Sequence, residues 1–342
     1  MMKILYAASN MVHINNFHIP YINALREQGN DVYIMASGEG ADFDIPFDKK
    51  ALSFKNFKLS KKIRNIIKEE KFDVVLVHTT LAAFWIRFAI RKLKGRPKVI
   101  NTVHGYLFSD DSSFLKRKVY LFCEKMTRKV TDDILVMNQE DYEIATKNKL
   151  CKGEVILING MGIDFARFKD NSRTNNSTDM LKMVFIGELS KRKNQIFLVK
   201  SLRLMQNVKL TLVGDGSERE KIEKYSRKFN LASRVEITGF DKDISKYLKN
   251  ADLYVSSSKI EGLPFNILEA MYFNIPIVAS DIKGQRDILP KECLFELGDI
   301  NKFVSLVKNY KNKEFKYNCN EYSFDNVFSK NMKIYNHLIQ QK

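Results

Sequence analysis

Short runs rich in β-branched residues alternate with helical apolar spacing along almost the whole chain, and few folds accommodate that alternation. KILYAA, DVYIMAS, DVVLVHT, KVINTVH, DILVMN and EVILIN are the strand candidates of the first half, and MVFIGEL, VKLTLVGDG, VEITGF, DLYVSSS, IPIVAS and LFEL those of the second. Between them lie amphipathic stretches such as FHIPYINALREQG, which closes on Gly29 as a helix C-cap does. Apolar strands joined by helical crossovers form parallel sheets covered on both faces. At 342 residues the chain exceeds one ordinary core and suits two domains of roughly 150 residues each. The expected architecture is α/β, two Rossmann-like doubly wound domains facing across a cleft, with ligands at the carboxyl ends of the strands. The polar, aperiodic stretch DNSRTNNSTDM, residues 170–180, is the expected linker. The closing segment FDNVFSKNMKIYNHLIQQK has helical apolar spacing at Phe324, Val327, Phe328, Ile334, Tyr335 and Leu338, which predicts a terminal helix packed back on the other domain.

Composition narrows the class. With 44% hydrophobic residues the chain is globular, and neither a run of 18 uncharged apolar residues nor a signal-peptide core is present, so a cytosolic protein is expected. The four cysteines, Cys123, Cys151, Cys293 and Cys319, lie far apart, and the histidines form no cluster in sequence, so neither a disulfide framework nor a zinc site is indicated. The formal charge of +17 calls for a phosphate-rich partner, whether nucleic acid, anionic lipid or nucleotide, or else for a solvated basic face. Thirteen Lys and Arg against three acids fall in residues 55–71 and 113–130. In the second of these, Leu115, Val119, Phe122 and Met126 share a helical stripe, which is expected to face the core rather than to insert into a membrane.

The stretch SSSKIEGLPFNILE, Ser256 to Glu269, runs from a strand through a loop into a helix beginning near Pro264. Free N–H groups at that helix start suit a phosphate. Glu261 and Glu269, eight residues apart, suit hydroxyls on either side of it. The plain alternative for Glu269 is an acid near a helix N-terminus, favoured by the dipole. MVFIGELSKRKNQ places Gly187, where backbone can approach a ligand, before Lys191, Arg192 and Lys193, which either neutralise a diphosphate or form a solvated basic turn. VGDGSER fails as a dinucleotide fingerprint because Arg219 occupies the last glycine position. His104 in NTVHGYLF ends a strand, where it either donates to a substrate hydroxyl or plays a structural part. His13, Asn15, Asn16 and His18 follow the first strand and either bind an acceptor or cap a helix. Asp42-Phe-Asp44 and Asp241-Lys-Asp243 are read as caps rather than metal chelators.

Taken in order, NNFHIPYINALREQGNDV, VHTTLAAFWIRFAIRK, NTVHGYLF, GMGIDFARF, GELSKRKNQ, VGDGSER, SSSKIEGLPFNILEAM and IVASDIKGQRDIL resemble the retaining glycosyltransferases of family 4, which have the GT-B fold. The likeness covers essentially the whole chain and is strongest to bacterial enzymes of capsule, exopolysaccharide and O-antigen assembly. It implies an acceptor-binding domain over residues 1–165, to which a helix from about 324 to 342 returns, and a nucleotide-sugar-binding domain over 166–323. It implies that Glu269 holds ribose hydroxyls, that Glu261 lies against the transferred sugar, and that His104 contacts that sugar. Gly262, Leu263, Pro264, Phe265 and Asn266 would donate backbone N–H groups or shape their path, Gly187 and Lys193 would meet the diphosphate, and Gly239 and Phe240 would border the base, most often uracil. The reaction in this family keeps anomeric configuration and generally needs no bound metal or other cofactor. Two departures stand out: Glu188 occupies a position where many members carry Arg, with Arg192 or Lys191 as replacement cation, and NMVHINNFH replaces the glycine-rich loop after the first strand.

The expected activity is therefore transfer of a sugar from a nucleotide diphosphate sugar, a UDP-sugar first, to a hydroxyl of a glycan acceptor. No carboxylate stands out as covalent nucleophile, so same-face attack on an oxocarbenium-like sugar is expected. An acceptor carried on a polyprenyl diphosphate brings the enzyme to an anionic bilayer, the inner face of the cytoplasmic membrane, where the basic first half would dock. Rival readings are a sugar-nucleotide epimerase on the same fold and a non-catalytic nucleic-acid-binding protein. Against the second, the basic stretches lack the interleaved aromatics of a recognised RNA module.

Overall fold

A computed structural model describes residues 1–48, 53–174, 179–310 and 317–341. The chain divides into two compact units, one of Met1–Gly162 with Asp325–Lys342, the other of Ile163–Phe324. The two crossings lie side by side, because Ile163 pairs with Ser323 in a parallel bridge and donates to Tyr322 O at 2.9 Å. Of the expected linker, residues 170–180, the described residues 170–174 and 179–180 belong instead to the second unit, and 175–178 lie outside the described residues. The described part is tied there: Thr174 donates to Lys249 O and Arg173 Nη2 to Ala251 O. A polar aperiodic stretch marks a surface loop as readily as a domain boundary.

The first unit is a seven-stranded parallel sheet, β1 (Lys3–Ala7), β2 (Asp31–Ala36), β3 (Phe43–Asp44), β4 (Val74–His78), β5 (Lys98–Val103), β6 (Asp133–Val136) and β7 (Val155–Leu157), in the order β3-β2-β1-β4-β5-β6-β7. Its helices are α1 (Met11–Phe17), α2 (Ile19–Glu27), α3 (Phe54–Glu70), α4 (Thr80–Ile90), α5 (Phe114–Thr127) and α6 (Gln139–Lys147). All six predicted strands of this half form, and the two-residue β3 is an addition too short to leave a periodic signal. β3 carries Asp44, so Asp42 and Asp44 brace a turn rather than cap a helix, accepting from Ile34 N at 2.7 Å and Gly38 N at 3.1 Å.

The second unit is a six-stranded parallel sheet, β8 (Leu181–Ile186), β9 (Val208–Val213), β10 (Val235–Gly239), β11 (Leu253–Ser256), β12 (Ile277–Ser280) and β13 (Leu294–Phe295), in the order β10-β9-β8-β11-β12-β13. α7 (Gln195–Ser201), α8 (Arg219–Lys228), α9 (Ser245–Asn250), α10 (Phe265–Tyr272) and α11 (Ile300–Lys308) surround it. The two-residue period of a strand shows directly in β8: Met183 and Phe185 join one apolar cluster, Val184 and Ile186 the other. Both faces are buried, as a parallel sheet requires. Each sheet reverses its direction of winding once, between β1 and β4 in the first and between β8 and β11 in the second. The carboxyl ends beside those reversals are where such sheets bind ligands.

The last helix, α12 (Phe324–Gln340), joins the first unit. Val327, Tyr335 and Leu338 are buried as the spacing indicates, and a polar residue, Asn331, is buried with them. Its Nδ2 donates to Gly160 O at 2.8 Å and lies 3.2 Å from Tyr21 Oη. The α5 stripe departs from expectation. Leu115 is 73% exposed, Val119 47% and Phe122 65%, joined by Phe114 at 73%, so this face does not enter the core. The face that α5 buries carries Glu124 instead, paired with the fully buried Arg87 of α4 at 3.0 Å. Among the described residues no helix is long and apolar enough to cross a membrane.

Candidate functional site

The loops leaving β8 and β11 meet at the reversal of the second sheet. Gly187, at φ +144°, turns the chain out of β8, and Gly214, at φ +145°, presses the loop after β9 so close that an added Cβ would lie 2.1 Å from Gly187 O. VGDGSER is thus a packing loop: Arg219 pairs with Asp215 at 2.8 Å and with Glu223 at 2.9 Å. Beyond Gly187, Asn194 adopts a left-handed conformation, donates to Ser257 O at 3.2 Å and receives the Ser257 hydroxyl on its own carbonyl at 2.9 Å. Asn266, in the first turn of α10, donates to Ile186 O at 2.8 Å. These bonds lock both loops to one another.

The locking brings three charged groups together. Glu261, 8% exposed, faces Lys193 Nζ at 2.7 Å and Arg192 Nη1 at 2.9 Å. Burial pushes its carboxyl up, but the two cations outweigh it and hold Glu261 below the usual carboxylate range. Glu269 is equally buried, yet its one direct partner is Arg167, whose guanidinium donates to Oε1, with Lys193 acting from farther off. Here burial wins, and Glu269 titrates at about 7. Lys193, itself only 8% exposed, is therefore the cation shared by both carboxylates. Glu269 sits one turn into α10, and the first turn holds no acid, so the simple dipole reading of Glu269 does not apply.

Gly187, Lys193, Glu261, Gly262, Leu263, Pro264, Phe265, Asn266 and Glu269 thus share one end of the second sheet. Pro264 is the N-cap of α10 and provides no side-chain cap, and Ile267 N–H is taken up locally by Pro264 O at 3.0 Å and Asn266 Oδ1 at 3.1 Å. Gly284 packs beneath: an added Cβ would come 2.5 Å from Gly262 O. The Glu188 side chain points to solvent, and Arg192, a candidate replacement cation, is turned to Glu261, while Lys191 is exposed. Gly239 ends β10, two strands from β8, and the ring of Phe240 is 79% exposed. Asp241 and Asp243 accept from the backbone of Asp243 and Ser245 in the turn before α9, whose N-cap, Ile244, makes no side-chain cap, so the expected capping is corrected to bracing of the turn.

The sequence did not single out Arg167, 102 positions from its partner. Its signal lies inside GMGIDFARF: Asp164 accepts from Ala166 N at 3.0 Å and closes the short turn, residues 165–167, that presents Arg167, while Phe165 stacks on Tyr272 of α10 at 4.6 Å.

In the first unit, folding gathers what the sequence disperses. His13, His18, His78 and His104, four of the five histidines, stand ring to ring beyond the ends of β1, β4 and β5, with centroids 4.1–5.5 Å apart. The expectation that no histidines cluster is corrected by the fold. His78 Nδ1 and His104 Nε2 are 3.2 Å apart, and the Tyr6 hydroxyl is 2.9 Å from His18 Nδ1. Burial lowers the affinity of all four rings for a proton, His13 to about 4, and neighbouring rings lower His18, His78 and His104 further, so the neutral form is favoured throughout. Neither His13 nor His18 is a side-chain cap: Asn10 caps α1 by accepting from His13 N, and His18, the N-cap residue of α2, makes no side-chain bond to that helix. Asn15 and Asn16 are exposed on α1.

Comparison with known proteins follows from this geometry. Residues 167–322 match the family described as Glycosyl transferases group 1, and residues 3–138 match Glycosyl transferase 4-like. EpsD of Bacillus subtilis (strain 168), a glycosyltransferase in name, is 27% identical over 91% of this chain and 88% of its own. The UDP-Gal:alpha-D-GlcNAc-diphosphoundecaprenol alpha-1,3-galactosyltransferase of Escherichia coli is 28% identical over 70% of this chain and 66% of its own. Among solved structures, the apo lipopolysaccharide outer core galactosyltransferase WaaB has a TM-score of 0.73 at 19% identity and covers 99% of both chains, a likeness of fold.

The ion-pair arrangement sets a stability test. Replacing Lys193 with Met strands a buried carboxylate and should destabilise the second unit by about 2–4 kcal/mol, the lower part of the range if Arg192 compensates. Adding Glu261→Gln should restore much of that loss, as denaturant unfolding of both variants would show. Additive losses in the double variant would mean the pair is not coupled.

Proposed function

We propose, from the premise that this chain belongs to the group 1, family 4-like glycosyltransferases of GT-B fold, that it moves a sugar from a UDP-sugar to a hydroxyl of a lipid-linked glycan with retention of configuration. The observation that carries the reading is the pair of buried glutamates bracketing the uncapped start of α10, with Lys193 between them. The E. coli relative acts, by its name, with UDP-Gal on a sugar carried by diphosphoundecaprenol, the donor and acceptor classes assigned here. By the same likeness the chain works in cell-surface polysaccharide assembly at the inner face of the cytoplasmic membrane.

In this reading the diphosphate lies at Gly187 and the start of α10, where the N–H groups of Gly262, Leu263, Phe265 and Asn266 and the helix dipole favour an anion. Lys193 turns from Glu261 toward the phosphates, and Arg192 stays on Glu261 to keep it ionised against the sugar. Charge on the departing UDP is neutralised by these groups rather than by a metal. Glu269 accepts from the ribose hydroxyls, and the exposed Phe240 ring with Gly239 borders the uracil. From the first unit, His104 meets the sugar, and His13, Asn15, Asn16 and His18 lie on the acceptor side. The acceptor hydroxyl attacks the face the diphosphate leaves, its proton passing to a departing phosphate oxygen.

A panel of UDP- and GDP-sugars should show thermal stabilisation by UDP-sugars, and Glu269→Ala should weaken that binding about 10- to 100-fold through loss of charged hydrogen bonds. With a polyprenyl-diphosphate-linked acceptor and no added metal, UDP release should yield an α-linked product from an α-linked donor by NMR. An inverted product, or an epimerised donor made without acceptor, would replace this reading.

The same reading assigns α5 to the bilayer. Phe114, Leu115, Val119 and Phe122 are exposed among Lys116, Arg117, Lys118 and Lys125, the composition of a helix that lies in a headgroup layer. Binding to vesicles containing anionic lipid should weaken as salt rises and fall at least tenfold in Phe114→Ser/Phe122→Ser. Equal binding to neutral and anionic vesicles, or no effect of the substitutions, would remove α5 from this role.

A further inference from the structure

The histidine cluster holds more imidazoles than a contact to one sugar hydroxyl requires. A neutral imidazole offers one donor and one acceptor nitrogen. His18 uses Nδ1 with the Tyr6 hydroxyl, and its Nε2 is buried without a partner, as is the Nε2 of His13. His18 is fully buried, while His13 and His104 are half-buried, so the group opens toward the surface through two of its members. One nitrogen from each of His13, His18 and His104 lies within 4.8 Å of the others. Small ring rotations bring three nitrogens at that separation to the roughly 2.0–2.1 Å that zinc takes from imidazole.

We propose that His13, His18 and His104 form a binding site for a late first-row divalent cation, with Zn2+ as its reference ion. The donor set selects the class: three imidazoles with neither carboxylate nor thiolate suit zinc, copper or nickel and disfavour magnesium and calcium. Three protein nitrogens leave one tetrahedral position for water or a substrate oxygen. The surrounding groups already hold the rings as ligands are held, Tyr6 on the far nitrogen of His18 and His78 beside His104 at 3.2 Å. Because His104 belongs to the trio, an ion there also withdraws the histidine assigned above to the sugar. That consequence, unlike the site itself, rests on the proposed transfer.

The test is calorimetric titration of the full chain, dialysed against chelator, with ZnCl2 alone. One Zn2+ should bind per chain, His13→Ala and His104→Ala should each weaken binding at least tenfold, and His337→Ala, on the exposed side of α12, should leave it unchanged. Circular dichroism of each variant checks folding, and zinc-edge X-ray absorption of the unsubstituted protein gives an independent reading. A shell of three imidazole nitrogens and one oxygen is expected. Absence of stoichiometric binding, sulfur in the shell, or equal affinity in folded His13→Ala and His104→Ala would each overturn the site.

Discussion

A carboxylate taken out of water has to be answered by a cation or it gives up its charge. The second unit resolves this twice, in opposite ways. Glu261 has Lys193 and Arg192 and keeps its charge, whereas Glu269 has Arg167 directly and titrates at about 7. The loops after β8 and β11 are placed by this requirement as much as by their hydrogen bonds, because Lys193 must reach Glu261 across the reversal of the sheet. A ligand that draws Lys193 away changes the electrostatics of both glutamates together.

The parallel sheets decide where such a cluster can be built. Strands buried on both faces leave only their ends for polar chemistry, and the reversals at β1/β4 and β8/β11 splay the loops apart there. The glutamates occupy one reversal and the histidines the other, each formed within a single unit. The proposed donor site would account for the uncapped helix start and buried acids at one end of the second sheet. It does not by itself account for four histidines in the first.

Much of the fold was legible because strand and helix periods differ and the strand candidates are strongly β-branched. Every predicted strand forms, and the helix from Phe265 begins where the apolar spacing begins. Within the candidate site, Lys193, Glu261 and Glu269 were readable as residue types at a strand-to-helix turn, but their pairing was not. Arg167 and Glu269 are 102 positions apart, and packing of Phe165 and Phe168 on Tyr272 and Phe273 brings them together. The clustering of the histidines escaped for the same reason, although His13, His18 and His104 were singly readable, since His13, His78 and His104 meet through the order of strands in the sheet. The α5 stripe shows a different limit: periodicity identifies which residues share a face, not whether that face meets a core or solvent.

The central claim is that Glu269 receives the ribose of a nucleotide sugar, and proton linkage tests it directly. Hydroxyls donating to Glu269 favour its ionised form, so near pH 7 binding should expel a fraction of a proton from a carboxyl that burial pushes up to about 7. Calorimetry with the stabilising UDP-sugar, which has no group of its own titrating in that range, should therefore give a binding enthalpy that varies with the ionisation enthalpy of the buffer. Glu269→Gln should abolish that variation. An enthalpy independent of buffer, or the same proton release from the Gln variant, would contradict the account.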